Sequence, residues 1–104
     1  MREFDVSVSQ SPHRIVVTPT GELDIDTCPY VTQATEGLAL RDTTLTVDMS
    51  SVSFMDSSSL NMLLRLRLRA QAEGGTLELC GLRQQAQRVL EITGAKELFL
   101  AGHA

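Results

Sequence analysis

The sequence predicts an α/β fold in which helices pack on a mixed, mostly parallel β-sheet, with elements in the order β-β-α-β-α-β-α-β. The first observation behind this prediction is a hairpin pattern at the start of the chain, and the second is a regular alternation of β-rich and helical segments after it. Such alternation is typical of parallel strands joined by crossover helices. At 104 residues, 42% of them hydrophobic, the chain can bury a core, and we expect residues 1–104 to form a single domain.

The first two strands are predicted to form a hairpin. Apolar residues alternate with polar ones in the first strand, as expected for a half-buried strand: Phe4, Val6 and Val8. A turn at residues 11–14 separates it from a β-rich run at residues 15–18. The sequence Pro19-Thr20-Gly21 is expected to end this second strand.

An acidic loop and the first helix follow. Residues 21–27 contain three carboxylates and lead into a helical pattern. Either Asp26 or Thr27 can cap the helix, and Pro29 then falls in the first turn, where its missing N–H group costs little. We expect this helix to end near Leu40.

A central strand is predicted at residues 45–49 and a long helix at residues 57–73. Leucine and arginine alternate over residues 64–69 with the period of a strand, but the longer segment contains no Gly or Pro and stops at Gly74-Gly75. Its apolar stripe at helical spacing comprises Leu60, Leu63, Leu64 and Leu68, with Gln71 and Ala72. The helix is therefore favoured. Its arginines are interpreted as a solvated face, with a basic patch toward a partner as the alternative: Arg65, Arg67 and Arg69.

The last part of the chain predicts three further elements. Residues 76–80 form a strand, residues 83–92 a short helix that is closed by Thr93-Gly94, and residues 98–101 a final strand.

Composition excludes several classes of protein. The formal charge of −4 argues against nucleic-acid binding, and no apolar run approaches the roughly 20 residues that span a bilayer. The amino terminus lacks the apolar segment of a secretory signal, so we expect a cytoplasmic protein. Cys28 and Cys80 are interpreted as buried reduced thiols, with a disulfide as the alternative. His13 and His103 have no neighbours at metal-ligand spacing, so we expect neither a metal nor another cofactor.

The segment with the most information about function is the start of the long helix. Asp56 and three serines, Ser57, Ser58 and Ser59, fall where the first N–H groups of a helix lack partners and favour negative charge. Apolar Phe54 and Met55 precede them. A phosphate on a serine here would change what docks on these apolar residues. The chain is therefore interpreted as a protein-binding switch and not an enzyme, since no phosphate-binding loop, zinc motif or histidine near Ser57 supports catalysis.

Two motifs carry a resemblance to a known family. Gly21-Glu22-Leu23-Asp24 follows the second strand, and Phe54-Met55-Asp56-Ser57-Ser58 precedes the long helix. With these motifs the chain resembles the STAS domain, and most closely the bacterial anti-sigma factor antagonists, over about residues 6–100. Weaker matches to the family are Leu82-Arg83, Val89-Leu90 and Thr93-Gly94. The resemblance implies a STAS-type fold.

The resemblance also implies a mechanism. In such proteins the serine after the aspartate is phosphorylated by a partner that is both anti-sigma factor and serine kinase, which makes Ser57 the phosphoacceptor. The unphosphorylated form binds the anti-sigma factor and frees a sigma factor, and a phosphatase resets the switch. The partner-binding residues implied are Asp56, Ser58, Ser59, Phe54, Met55, Glu22 and Asp24.

The chain departs from the family at two places. Family glycines are replaced by Ser59, which could redirect docking, and by Asn61. A further helix follows the last strand in many relatives, whereas only residues 102–104 remain here, so we expect that helix to be absent or truncated. The alternative function is a non-phosphorylated STAS adaptor, in a signalling scaffold or in a lipid-transport ATPase complex. The alternative structural interpretations are a simple N-cap for the serines and a solvated loop for Glu22, Asp24 and Asp26.

Overall fold

The computed structural model describes residues 3–100, with the side chain of Leu100 left out, and shows an α/β fold with a mixed sheet. The strands are β1 (Asp5–Ser11), β2 (Arg14–Leu23), β3 (Thr44–Asp48), β4 (Val52–Met55) and β5 (Thr76–Cys80). The helices are α1 (Cys28–Glu36), α2 (Ser57–Ala72), α3 (Gln84–Thr93) and α4 (Lys96–Leu100). The predicted fold class is confirmed, while the order of elements differs at two points.

The long strand β2 organises the sheet. It pairs antiparallel with β1, which confirms the predicted hairpin, and parallel with two other strands. Its first residues, 14–17, pair with residues 44–47 of β3, and its last residues, 21–23, pair with β4. Strand β5 lies parallel to β3 on the far side, so the main order is β1-β2-β3-β5.

The core lies on one face of the sheet. Two apolar rows cross three strands in register and are buried: Ile15, Leu45 and Leu77, then Val17, Val47 and Leu79. On the opposite face of the sheet, Thr46 is also buried, because the Arg14 guanidinium lies against it. Arg14 Nη1 donates a hydrogen bond to the Thr46 Oγ1 at 2.6 Å. The helices bury their apolar residues against the first face, as expected for this layer architecture.

Strand β2 is longer than the sequence predicts, because Pro19 and Gly21 do not end it. Pro19 lies between the residues that pair with β3 and those that pair with β4. No hydrogen bond to either strand is therefore lost through its missing N–H group. Strand β4, which is not among the elements predicted from the sequence, extends the sheet beyond β3. It has only four residues, with a burial pattern that does not alternate, so period-two analysis misses it.

The predicted final strand at residues 98–101 is wrong within the described residues, since Lys96–Leu100 form α4. Ala95 and Phe99 are both buried and lie four residues apart, which is helical spacing. Gly94 ends α3 in the left-handed conformation and lets the chain turn into α4. Ala101 of the predicted strand and residues 102–104, where the family helix is expected to be absent or truncated, lie outside the described residues.

The long helix is confirmed, but its buried face is rotated from the predicted one. Leu60 and Leu63 are buried as predicted, whereas Leu68 is 60% exposed. The remaining buried positions are Ser59, Met62, Leu66 and Ala70. Helix α1 ends at Glu36 and not near Leu40, because Gly37 occupies its C-cap.

The three arginines of α2 have separate roles, and the predicted common solvated face is wrong. Arg65 is exposed, and Arg67 donates from Nε to the carbonyl oxygen of Leu98 at 3.0 Å. Arg69 donates to the carbonyl oxygens of Thr35 and Leu38 at 2.7 and 2.6 Å, and its Nε pairs with Glu73 at 2.8 Å. Arg69 therefore adds charge-assisted donors to two carbonyls at and just beyond the end of α1, of which that of Thr35 also accepts from the Leu38 N–H.

Replacing Arg69 with alanine is expected to lower the free energy of unfolding by about 2 kcal/mol, because two partly buried carbonyls lose charge-assisted donors. Urea unfolding measures this change. The matched control is Arg65→Ala on the exposed side of the same helix, which we expect to change stability by less than about 0.5 kcal/mol. Equal effects of the two substitutions would contradict the role assigned to Arg69.

Candidate functional site

The pairing of β2 with β4 brings the two sequence motifs together. Glu22 and Leu23 pair with Phe54 and Met55, so both strands end at the same edge of the sheet. Gly21 has a φ of +115°, and a Cβ at this position would lie 2.6 Å from the carbonyl oxygen of Glu3. The motif therefore requires glycine here for conformation and for space.

The acidic loop after β2 is held by hydrogen bonds between its own residues. The Asp24 carboxylate accepts hydrogen bonds from the backbone N–H groups of Asp26 and Thr27 at 2.9 and 3.1 Å. The Thr27 hydroxyl accepts from the Asp24 N–H and donates to the Glu22 carbonyl oxygen, both within 2.9 Å. Thr27 occupies the predicted N-cap position of α1, but its side chain makes no capping bond to the helix. Asp24 thus holds the loop, while the Glu22 and Asp26 side chains remain exposed.

Carboxylates gather along one side of this loop. Glu3, Glu22, Asp24 and Asp26 line a cleft of about 440 Å³ that also contacts Ser53 of β4. This side of the site is therefore strongly negative.

The start of α2 is a reciprocal capping box. Asp56 is the N-cap, and its Oδ1 accepts a hydrogen bond from the Ser59 N–H at 3.0 Å. The Ser59 hydroxyl in turn accepts from the Asp56 N–H at 2.9 Å and donates to the Asp56 carbonyl oxygen at 2.7 Å. Serine at the third helical position replaces the glutamate or glutamine that usually completes such a box.

The three serines differ in exposure. Ser57, the first residue of α2, is exposed, and Ser58 is half-buried. Ser59 is fully buried, so the prediction that it faces a partner is wrong, because its hydroxyl is used in the capping box.

Phe54 and Met55 point to opposite sides of β4. Phe54 is 40% exposed at the edge of the site, whereas Met55 is fully buried in the core. The prediction that Met55 is a partner-binding residue is therefore wrong for its side chain, because successive residues of a strand alternate between faces.

A groove of about 550 Å³ separates the start of α1 from the first turns of α2. It is lined by Ile25, Cys28 and Arg65, and by Ser58 and Asn61, among others. Burial, and then the negative charges of Asp56 and Asp24, raise the pKa of the Cys28 thiol to about 11. Cys28 is a free thiol as predicted, and so is Cys80, although Cys80 is exposed and not buried.

Two residues that shape the site are not predicted from the sequence. Ile25 is 70% exposed beside the groove, and Gln85 of α3 bonds to the backbone of Met55 through both ends of its amide at 2.8 Å. The position of Ile25, an apolar residue between two aspartates, could have indicated its role. No local pattern indicates the role of Gln85, since it lies 30 residues from its partner.

Residues 3–100 contain neither a cluster of metal ligands nor a membrane-spanning helix. Within that range, no cluster of three or more His, Cys, Asp or Glu side chains could hold a metal ion. None of the described helices is long and apolar enough to cross a membrane.

Comparison with known proteins matches the chain to a family and to several relatives. A family model described as "Mlab, STAS domain" matches residues 6–101. The anti-sigma-B factor antagonist of Bacillus subtilis is 30% identical over 95 residues, which cover 91% of this chain and 87% of the relative.

Solved structures show the same fold. An anti-sigma factor antagonist from Mycobacterium paratuberculosis superposes with a TM-score of 0.80 at 25% identity, covering 93% of this chain and 83% of that one. The anti-sigma factor antagonist SpoIIAA in its unphosphorylated form has a TM-score of 0.76 at 17% identity, covering 92% and 86% of the two chains. With the family match over nearly its whole length, the chain belongs to the STAS domain family.

Proposed function

We propose that the protein is an anti-sigma factor antagonist that is switched by phosphorylation of Ser57. Its unphosphorylated form binds an anti-sigma factor with serine kinase activity and so frees a sigma factor. Phosphorylation ends this binding, and a phosphatase restores it. The observation that carries the proposal is the position of Ser57, which is exposed at the first turn of α2 beside two loops of the same sheet edge. The relatives named as antagonists support the same activity.

The docking surface comprises the exposed and half-buried groups around Ser57. Phe54 and Glu22 are exposed, Asp56 and Ser58 are half-buried, and Asp24 shapes the acidic loop. Asn61, which replaces a family glycine, lines the groove next to this surface. Ser59, the other replacement, is buried and leaves the surface unobstructed.

Charge explains why one phosphate would suffice. A phosphate adds −1.5 to −2 charges beside Asp56 and near the acidic cleft. Among the N–H groups of the first turn, that of Ser59 already donates to Asp56, so the phosphate could use only those of Ser57 and Ser58. Burying such a charge without a cationic partner costs several kcal/mol, and changing a population from mostly bound to mostly free requires about 5.5 kcal/mol. The switch therefore needs no refolding.

The remaining parts of the proposal are a single domain over residues 1–104, a cytoplasmic location and no enzymatic activity of its own. Binding of nucleic acid, a membrane or a cofactor has no part in it. The net charge of −4 supports protein docking over nucleic-acid binding.

The alternative is a STAS adaptor that acts without phosphorylation, in a signalling scaffold or with a lipid-transport ATPase. Its support comes from Ser59 and Asn61, which replace the family glycines. Under this alternative, the capping box would serve only to stabilise α2.

The two functions differ in whether Ser57 carries phosphate. We expect intact mass of the protein from its native host to show a species heavier by one phosphate, about +80 Da, because Ser57 is the exposed hydroxyl of the site. This species should disappear in Ser57→Ala and persist in the control Ser58→Ala. Its absence from the wild type under every growth condition would favour the adaptor.

A negative charge at Ser57 is expected to weaken partner binding. Ser57→Asp places a carboxylate beside Asp56 at the centre of the docking surface, and we expect at least tenfold weaker binding, or about 1.4 kcal/mol. Each serine-kinase anti-sigma factor of the host would be titrated against the variant by calorimetry. Ser9→Asp on exposed β1 is the control, and equal affinity of Ser57→Asp and wild type for the partner would refute the switch.

The hydroxyl of Ser59 is expected to stabilise the start of α2. Ser59→Ala removes the acceptor of the Asp56 N–H, so we expect a loss of about 1 kcal/mol in the free energy of unfolding. Urea unfolding of Ser59→Ala and of the control Ser58→Ala gives the comparison. A variant as stable as wild type would show that the Ser59 hydroxyl contributes nothing to the stability of the box.

A further inference from the structure

The outer edge of β4 has no neighbouring strand among the described residues, although Met55 is fully buried there. Strand β4 pairs with β2 on one side only. The N–H and C=O groups of one strand residue point to the same side. For Met55 this is the side of α3, where both groups would lack partners unless a side chain supplied them.

Gln85 supplies both partners. Its Oε1 accepts from the Met55 N–H at 2.8 Å, and its Nε2 donates to the Met55 carbonyl oxygen at 2.8 Å. The side-chain amide thus takes the place of a peptide group in a neighbouring strand. A carboxamide is suited to this, since it presents one acceptor and a donor in one plane.

The position of Gln85 is itself fixed. It lies in the first turn of α3, and Arg83, the N-cap of that helix, donates from Nε to the carbonyl oxygen of Ser50 at 3.1 Å. The start of α3 therefore contacts the chain at both ends of the segment that contains β4. Met55 in turn directly precedes Asp56, the cap of α2, and Ser57 follows.

We propose that Gln85 is a positioning residue for the phosphoacceptor turn, the connection from Met55 to Ser57 at the start of α2. It holds this turn by two hydrogen bonds to the backbone of Met55. This inference rests on the proposed function for its consequence, because a kinase must find the Ser57 hydroxyl at a fixed place relative to Phe54 and the acidic loop. A misplacement of about 1 Å can slow a transfer that depends on alignment by about a hundredfold. Gln85 contacts neither Ser57 nor the phosphate, and acts through the Met55 backbone.

The test uses Gln85→Met, which keeps the length of the side chain and removes both hydrogen bonds. Gln85→Asn is the second variant, which keeps the amide but shortens its reach and serves if the first does not fold. The matched control is Gln84→Met, one position earlier in α3, where the exposed side chain makes no hydrogen bond to other described residues.

Three measurements decide the proposal. We expect the Met55 amide to exchange hydrogen at least tenfold faster in the Gln85 variants, while the core amides of Val17 and Leu63 change less than twofold. The amide resonances of Ser57 and Ser58 should shift, and the phosphorylated fraction in the native host should fall at least fivefold. Gln84→Met should match the wild type in all three.

A purely structural role would accelerate exchange at Val17 and Leu63 as much as at Met55, and this result would overturn the proposal. The proposal would also be overturned if the Ser57 and Ser58 resonances did not shift. The same holds if the Met55 amide exchanged faster while the phosphorylated fraction stayed unchanged. If the wild type carries no phosphate, the proposed function fails separately. The exchange and resonance measurements then decide alone whether Gln85 positions the turn.

Discussion

The site depends on one constraint, the ability of β2 to pair along its length with two different strands. Its first residues align with β3 and complete the core rows, while its last three align with β4. A shorter β2, ending at Pro19 as its sequence suggests, would leave β4 without a neighbour. The Gly21–Asp24 loop and the Asp56 helix start would then have no common edge. The surface with Phe54 and Ser57 is therefore a consequence of sheet register and not of local sequence alone.

Side-chain to backbone hydrogen bonds fix the irregular parts of this edge. Asp24 bonds two N–H groups of its loop, Asp56 and Ser59 bond reciprocally, and Gln85 bonds both polar groups of Met55. Each bond satisfies a backbone group that regular secondary structure leaves unpaired. A turn held in this way has little freedom to rearrange, so a modification there acts mainly through its charge.

The sequence predicts the elements whose signals are local, and misses those that depend on distant partners. The hairpin, α2 with its Asp56 cap, and β5 follow from alternation, capping residues and the glycines at 74 and 75. Strand β4 and helix α4 are missed, because segments of four to five residues are too short for the spacing of apolar residues to distinguish strand from helix. At the site, the motif identifies Asp56 and Ser57, and the adjacency of Phe54 and Met55 is compatible with one facing the core and one the surface. That Met55 is the buried one follows from the pairing with β2.

The buried Ser59 shows how the helix start can be rigid and still respond to a phosphate. In the described conformation the serine does not approach the docking surface, since its side chain is fully buried and its hydroxyl bonds to Asp56. The cap uses the N–H of Ser59 and leaves the N–H groups of Ser57 and Ser58 without helical acceptors. A phosphate on Ser57 would therefore meet partial positive charge from two N–H groups and full negative charge from Asp56. The free domain could tolerate this balance because water screens the carboxylate, but a dry interface could not. The sensitivity of such a switch thus arises from the contrast between solvent and interface at one exposed hydroxyl.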